Sequence, residues 1–428
     1  MKLLLFVMLL PFLCQPLTAI STEIDFELTD AQRYQLSQTA SGTNPRDLHT
    51  PQNPVLLKPV SIYEDPELKT PAKTLDTTDD LAISTVILNQ SGLPVYVLDS
   101  QFYMLADKTA FYEDVVLEET ILSETYWTRA IDVVYDSPFV KGSREVSRKP
   151  KNYSQVIVTA RAQTHAGTYY QIDNYGWVKA DLLSKQDTRV EAVQALLTKK
   201  YQKAHYGIYV KQLDTGLTAG INSSSTMYAA SLAKLPILYY TQESLDQGKI
   251  SKDTKFEYTS KVNDFAGAYD PSGSGSLPKK ANQKAYSVDE LMKKVAQQSD
   301  NVASNMLGYY VTDQFGQDYQ SVISAASGQS WDMEARQMSP ETIGNILEAL
   351  YYQNGQVLDY LSQTDFDGER ISKNIKEKVS HKIGDAYDFK HDAGIIYTSS
   401  PFILTIMTDK ADYEDITEIA DAIYEILK

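Results

Sequence analysis

The chain has 428 residues, enough for two or three domains that each bury a core, and its 43% hydrophobic and 22% charged composition is that of a globular protein rather than a disordered one. With 40 Lys and Arg against 56 Asp and Glu, its net charge of −16 argues against binding a nucleic-acid backbone by overall charge. The single cysteine excludes both an internal disulfide and a cysteine-based zinc site.

Residues 1–19 join Lys2 to an apolar stretch and end on small Ala19, the grammar of a secretory leader. Pro11, Gln15 and Pro16 break a run that would need about 20 apolar residues to span a membrane. This predicts export to the cell surface or medium with cleavage near Ala19, an uncleaved membrane anchor being the alternative. Cys14 is expected to leave with the leader, because Phe12 and Leu13 are large where a lipoprotein cleavage site needs small residues. Residues 20–80 are rich in Thr, Pro, Asn and Asp and read as a linker or loosely folded arm.

From 81 to 186 the pattern becomes short β runs, at 84–88, 93–98, 131–135, 155–160, 169–172 and 177–179. Residues 167–178 alternate, break at Asn174-Tyr175-Gly176 and resume, as a hairpin does. The Gly176-Trp177 pair resembles the end of a bacterial Src-homology-3-like wall-binding module. Thr125-Tyr126-Trp127-Thr128 resembles a weaker copy, which would make two modules. A plain β domain with two core tryptophans is the other reading these residues leave open.

Next come a helical stretch over 190–201, a strand over 206–213, a turn at Asp214-Thr215-Gly216 and a second strand over 217–221. Residues 228–238 are apolar all round except for one hydroxyl and one amine, so this predicted helix belongs inside a domain. Ser231 and Lys234, three apart, share one helix face, where an uncharged Lys234 can take the serine's proton. Burial, a helix N-terminus and a second cation each disfavour the ammonium. The same spacing recurs at Ser276 and Lys279, but in a Pro-Ser-Gly-rich loop without the fixed geometry of a helix. That copy is set aside.

Two further segments follow in order: Ser299-Asp300-Asn301 within a predicted helical stretch over 287–307, and Lys382-Ile383-Gly384 on a predicted strand. S-x-x-K, S-D-N and K-x-G in this order resemble the constellation of class A β-lactamases and penicillin-binding proteins. Lys234-Leu235-Pro236, Ser299 to Asn305, Ser339-Pro340 opening a helix, strands over 395–397 and 402–407, and an amphipathic helix over 413–427 extend the likeness across 190–428. The resemblance implies an α/β fold, an antiparallel sheet flanked by helices plus an all-α subdomain, preceded here by the small all-β domain over 81–186. It implies that Ser231 is acylated, with Lys234 as base, and that Ser299 relays a proton to the leaving nitrogen. Asn301 would hold the substrate's side-chain amide, and cationic Lys382 would steer its carboxylate. Gly384 would let substrate lie along the strand edge, with the oxyanion on the N–H groups of Ser231 and Asp385. Asp300 reads as a carboxylate that fixes a helix end or a loop. No metal or cofactor is implied, the partners are a cell-wall polymer or a β-lactam and not nucleic acid, and the expected state is a monomer.

Three departures bear on activity. The family's lactamases carry a water-activating glutamate before the Ser339 helix, but residues 325–338 contain no E-x-x-L-N pattern; Glu334 is the nearest candidate, and it reads better as a surface carboxylate or a partner of Arg336. Ile383 replaces a hydroxyl residue, and Asp385 must point away from a developing oxyanion. Slow release of a β-lactam acyl group is therefore expected. The rival reading is a cell-wall-binding protein whose hydrolase domain is inactive. No H-E-x-x-H motif joins any of the five histidines and no G-x-S-x-G elbow occurs, so zinc protease and α/β-hydrolase readings lack their parts. His381 and His391 flank the K-x-G strand and read as structural. The loop over 271–278 reads as a flexible rim of the cleft, with Tyr269 as an aromatic wall.

Overall fold

The computed structural model describes residues 49–428 and, before them, Leu28, Thr29, Gln32, Arg33 and Leu36. The expected leader over 1–19, Cys14 included, lies outside the described residues. Among those described, no helix is long and apolar enough to cross a membrane. The chain divides into two compact units, one holding residues up to 120 with 137–144 and 162–169, the other holding Ile121–Asp136, Glu145–Arg161 and Tyr170–Lys428.

The first unit contains strands β1 (Pro54–Leu56), β2 (Val60–Tyr63), β3 (Pro71–Leu75), β4 (Ile83–Leu88), β5 (Pro94–Leu98), β6 (Tyr103–Leu105) and β7 (Phe111–Glu113). Five of them form an antiparallel sheet in the order β3-β2-β6-β5-β4, and β1 pairs with β7. Leu56, Ile62, Leu75, Tyr96, Leu98, Met104 and Phe111 make its core. Strands β1 to β3 fall in the stretch expected as linker. Each has only three to five residues between Pro- and Asn-containing turns, too short to display a period, yet each sends one side chain to the core.

A second five-stranded sheet consists of β8 (Glu118–Thr128), β9 (Gln155–Thr164), β10 (Gly167–Ile172), β11 (Gly176–Lys179) and β12 (Leu183–Ser184), in the order β11-β10-β9-β8-β12. Its last strand closes against its first, Leu183 opposite Thr128. Ile131, Val134, Val158, Ile172, Val178 and Leu183 fill the interior, and Trp177 is buried. Gly176 has φ 138°, and a Cβ there would collide with the Tyr135 carbonyl. Glycine thus allows Trp177 and Tyr135 to exchange two backbone hydrogen bonds of 2.8 Å. Residues 131–135, expected as a strand, join a sheet only at Tyr135. Trp127 lies on β8 of this same sheet, half-buried with the Arg189 guanidinium 5.3 Å from its ring. Residues 125–128 therefore do not close a second copy.

The remaining elements are α1 (Arg189–Leu196), prolonged by a π turn to Tyr201, then β13 (Tyr206–Gln212), β14 (Thr218–Ile221) and β15 (Met227–Tyr228). A 3₁₀ turn (Ala230–Lys234) runs into α2 (Leu235–Asp246), followed by β16 (Lys255–Glu257), β17 (Ala285–Ser287), α3 (Val288–Gln298), α4 (Asn301–Tyr310) and α5 (Gln317–Ser327). The chain ends with β18 (Gln337–Met338), α6 (Pro340–Gln353), α7 (Val357–Tyr360), β19 (Val379–Ala386), β20 (Phe389–Ile396), β21 (Phe402–Asp409) and α8 (Tyr413–Leu427). An antiparallel sheet in the order β14-β13-β21-β20-β19 forms the spine.

Strand β21 is buried on both faces, and its alternate residues feed two cores. Phe402, Leu404 and Ile406 pack with Val190 and Val193 of α1 and with Ile416, Ile419 and Ile423 of α8. Ile403 and Met407 pack with Ile343, Ile346 and Leu347 of α6, which continues into the helical subdomain of α2 to α5. Helix α8 starts at a reciprocal capping box between Asp412 and Asp415 and buries one stripe at helical spacing. The expected architecture, helices flanking an antiparallel sheet plus a helical subdomain after a small β domain, is the one observed.

Candidate active site

Ser231 and Lys234 sit in the 3₁₀ turn rather than in an α-helix. With three residues per turn, side chains at i and i+3 eclipse, so this turn stacks the two more directly than an α-helix would. Ala230, just before the serine, has φ 49°, a left-handed conformation unfavourable for alanine. Lys234 is fully buried, while Ser231 is partly open to solvent. The Lys234 Nζ lies 3.1 Å from the Ser231 Oγ, 2.6 Å from the Ser299 carbonyl oxygen and 2.6 Å from the Asn301 Oδ1. An uncharged amine has two N–H groups. The two short bonds use both, leaving the lone pair for the Ser231 hydroxyl.

The predicted helix over 287–307 is broken at Ser299, which takes φ 54° and ψ 34° as the C-cap of α3. Asp300 then caps α4 by accepting from the Ala303 N–H at 2.9 Å. The break turns both the carbonyl and the hydroxyl of Ser299 towards Lys234. Asp300 also accepts from the N–H groups of Ser276 (2.7 Å) and Leu277 (2.8 Å), and Asn301 donates to the Asp270 carbonyl at 2.7 Å. The loop expected as a flexible rim is thus tied to the S-D-N turn. Its Lys279 donates to the Gly273 and Gly275 carbonyls, while Ser276 bonds Gln298 and accepts from Lys294 at 2.9 Å, so Ser276 and Lys279 of the second S-x-x-K do not pair with each other.

Strand β19 brings the third motif. The buried Lys382 donates to the Ser299 Oγ at 2.7 Å and to the Ile383 carbonyl at 2.9 Å. Ser299 therefore stands between two amines. β19 is the sheet's edge, and its His381 N–H leaves the sheet to reach the Leu361 carbonyl at 2.9 Å. By strand alternation the N–H groups of Ile383 and Asp385 face the same way, out of the sheet. A Cβ on Gly384 would lie 2.9 Å from the Ala229 carbonyl oxygen, so this glycine is needed for the approach of the serine's own turn.

Asp385 is held by Arg370 (2.7 Å), Lys390 (2.6 Å) and the Tyr413 hydroxyl. Ile383 lies directly opposite Asp392 and shares its face with His381 and Asp385. The Asp385 carboxylate is thereby neutralised by its own cluster. Arg370, fully buried, stacked 3.8 Å over Tyr413 and 3.4 Å from the adjacent Glu369, had no signal in the sequence as a partner of Asp385, because Asp385 and Tyr413 come from β19 and α8.

Burial pushes the Lys234 amine well below the usual lysine range, and the neighbouring Lys382 pushes the same way. Lys382, expected as a standing cation, is lowered by its own burial to about 7, with Asp392 opposing that shift. His391 is brought down to about 4 by burial. Its Nδ1 accepts from the Thr408 N–H at 3.0 Å, which leaves Nε2–H to donate to the Tyr228 carbonyl at 2.8 Å. This neutral ring fixes the segment three residues before Ser231.

His381 reaches Asp392 through Nδ1 (2.9 Å) and Asp367 through Nε2 (3.2 Å), with the Ser372 Oγ 3.3 Å away. Burial lowers its basicity, but the two carboxylates outweigh it and raise the ring to about 9. An imidazolium locked between two carboxylates cannot serve Ser372 as a base. A pKa raised from 6.5 to about 9 gives stability that is full below pH 6.5 and lost as pH rises through 9. That contribution is about 3 kcal/mol by the usual conversion. The lowered Lys234 and Lys382 add an opposing rise over the same range, so the readout is the difference between variants: the unfolding midpoint of His381→Gln should lie below that of wild type at pH 6.5, and the gap should narrow towards pH 9.5. Equal slopes would contradict the assignment.

Glu334 is exposed on the loop over 328–336, between α5 and β18. Arg336, expected as its partner, is instead buried, donating to the Gly267 carbonyl at 2.7 Å. Tyr269 is 6% exposed and lies beneath the site rather than along an open wall. Among the described residues, no group of three or more His, Cys, Asp or Glu could hold a metal ion.

Residues 188–427, more than half of the chain, match the Beta-lactamase enzyme family, and residues 123–184 match the GW (Gly-Tryp) dipeptide domain. Similar solved structures include a beta-lactamase from Sphaerobacter thermophilus, at 20% identity over 56% of this chain and 96% of that one, with a TM-score of 0.45. A beta-lactamase from Chitinophaga pinensis shows 17% identity over 56% of this chain and 98% of its own, with a TM-score of 0.45. A protein called PBP-A shows 16% identity over 56% and 94%, also with a TM-score of 0.45. No curated protein matches the sequence. The chain belongs to the beta-lactamase enzyme family, and its family region follows a GW dipeptide domain.

Proposed function

We propose that this chain is an exported serine hydrolase acting on D-alanyl amides or esters of the cell wall, and that β-lactams acylate it and leave slowly. The observation that carries the reading is a buried, uncharged-leaning amine 3.1 Å from a solvent-reachable hydroxyl, with Ser299 shared between that amine and a second one. Ser231 Oγ bonds to the substrate carbonyl carbon as its proton passes to Lys234. The oxyanion lies on the N–H groups of Ser231 and Asp385, a placement in which each donor is worth about 2.7–4 kcal/mol of barrier. The carbon–nitrogen bond then breaks, and the leaving nitrogen takes the proton from Lys234 through Ser299. Water later cleaves the Ser231 ester and restores the hydroxyl. Lys382 in its protonated form holds the substrate carboxylate, and Asn301 holds its side-chain amide.

Slow release follows from the exposed position of Glu334, which leaves no buried carboxylate on that loop to activate water. Mixing the full chain with excess chromogenic cephalosporin should give a burst of about one equivalent followed by slow turnover. Fast sustained turnover would refute slow release. The absence of a burst, together with undiminished binding to wall polymer by wild type and Ser231→Ala alike, would favour the inactive wall-binding reading, to which the apolar Ile383 lends support. Export with cleavage belongs to the same proposal: the secreted chain should begin near Ile20, and recovery of the full-length chain in the membrane fraction would contradict cleavage and favour the uncleaved anchor.

A further inference from the structure

Arg336 carries φ 49° at the end of the loop over 328–336 and is 9% exposed. Its backbone is fastened to the serine's segment: its carbonyl accepts from the Ala229 N–H at 2.8 Å, and the next residue, Gln337, pairs with Tyr228. The guanidinium turns inward. It lies 3.7 Å over the Tyr269 ring, donates to the Gly267 and Ala268 carbonyls at 2.7 and 3.3 Å, and reaches the Tyr228 hydroxyl at 3.5 Å.

The Lys234 Nζ stands 4.5 Å from the centroid of that same Tyr269 ring. The Tyr269 backbone is clamped by Asn305, whose carbonyl oxygen accepts at 2.7 Å and whose amide donates at 2.8 Å. The Tyr269 hydroxyl is buried with no hydrogen-bond partner. What this tyrosine offers the site is therefore its aromatic ring, and that ring meets two basic groups, of which only the guanidinium is permanently charged.

We propose that Arg336 is a positioning residue for the acylation of Ser231, acting through Tyr269 on Lys234: it fixes the aromatic ring against the amine and supplies a permanent like charge beside it. The inference rests on the acylation reading above. The loop on which a water-activating carboxylate was sought instead delivers a cation that suits the first half of the reaction and not the second. Lys234 faces Lys382 from β19, Arg336 from this loop, Lys279 from the loop before β17 and Asp300 from the start of α4; only Asp300 favours its protonation.

The test uses the full chain with lysine ¹³C-labelled at Cε, the Lys234 signal being assigned by its loss in Lys234→Met. In Arg336→Gln the titration midpoint of that signal should rise by about one pH unit, and in Arg336→Lys it should stay near wild type. Acylation by labelled penicillin should fall by up to about fivefold at pH 7 in Arg336→Gln and return to the wild-type rate at the same pH by pH 9. Arg336→Met, which keeps the apolar stem, replaces Gln should that variant not fold. An unshifted midpoint, or a shifted midpoint with an unmoved acylation profile, would overturn the inference. Wild type that penicillin fails to acylate would overturn the acylation reading itself, a result seen without any Arg336 variant.

Discussion

Lys234→Met is expected to slow acylation of Ser231 by penicillin by about 10²- to 10⁴-fold, the range that a positioned general base contributes. Methionine fills most of the lysine stem's volume in a fully buried site, so packing survives while the lone pair 3.1 Å from the hydroxyl is removed. The Ser299 carbonyl and the Asn301 Oδ1 lose a donor, which lowers stability by about 1–3 kcal/mol for each group left unpaired. Lys234→Arg should not rescue the rate, because a guanidinium stays charged and has no lone pair to offer. The measurement is the second-order acylation rate by intact mass, with the unfolding midpoint recorded beside it. A folded Lys234→Met variant that reacts within about threefold of wild type would remove the base from the mechanism.

Asp300→Ala should produce the largest loss of stability at the site. The side chain is fully buried and accepts from three backbone N–H groups, one at the cap of α4 and two in the loop over 271–278. A lost cap costs about 1 kcal/mol and each hydrogen bond to a charged group about 1.5–3 kcal/mol, so a total of about 4–7 kcal/mol is expected. The unfolding transition of the hydrolase domain should shift accordingly, and acylation should fall with it because Ser299 is the preceding residue. Asp300→Asn keeps one acceptor oxygen and should recover part of the loss. A change below about 1 kcal/mol in Asp300→Ala would mean that the loop is held by other contacts.

The parts of the site that could be read from the sequence are those in which function is local. Ser231 and Lys234 are three residues apart, Ser299 to Asn301 are contiguous, and Lys382 and Gly384 share a strand, so each pattern carries its own geometry. Helix α8 was equally legible because its apolar stripe and acidic cap lie in one segment. The break at Ser299 was not, since the apolar period runs on through it, although an Asp able to cap the next helix was the available signal. The safe orientation of Asp385 was implicit in strand alternation, which sets it on the face opposite Lys382. Arg336 and Arg370 carry no such mark: Gly267 and Asp385, to which they donate, lie more than a dozen residues away in sequence, and only the folded chain brings them together. Strands β1 to β3 were missed for the opposite reason, being shorter than the period that would announce them.

The catalytic expectations depend on Ser231 becoming covalently acylated while the protein is folded. Peptide mapping of the full chain after incubation with penicillin tests this most directly. The account predicts a penicilloyl mass on the peptide that contains Ser231 and none in Ser231→Ala. A folded chain whose Ser231 peptide stays unmodified under conditions that fully label a known penicillin-binding enzyme would contradict it.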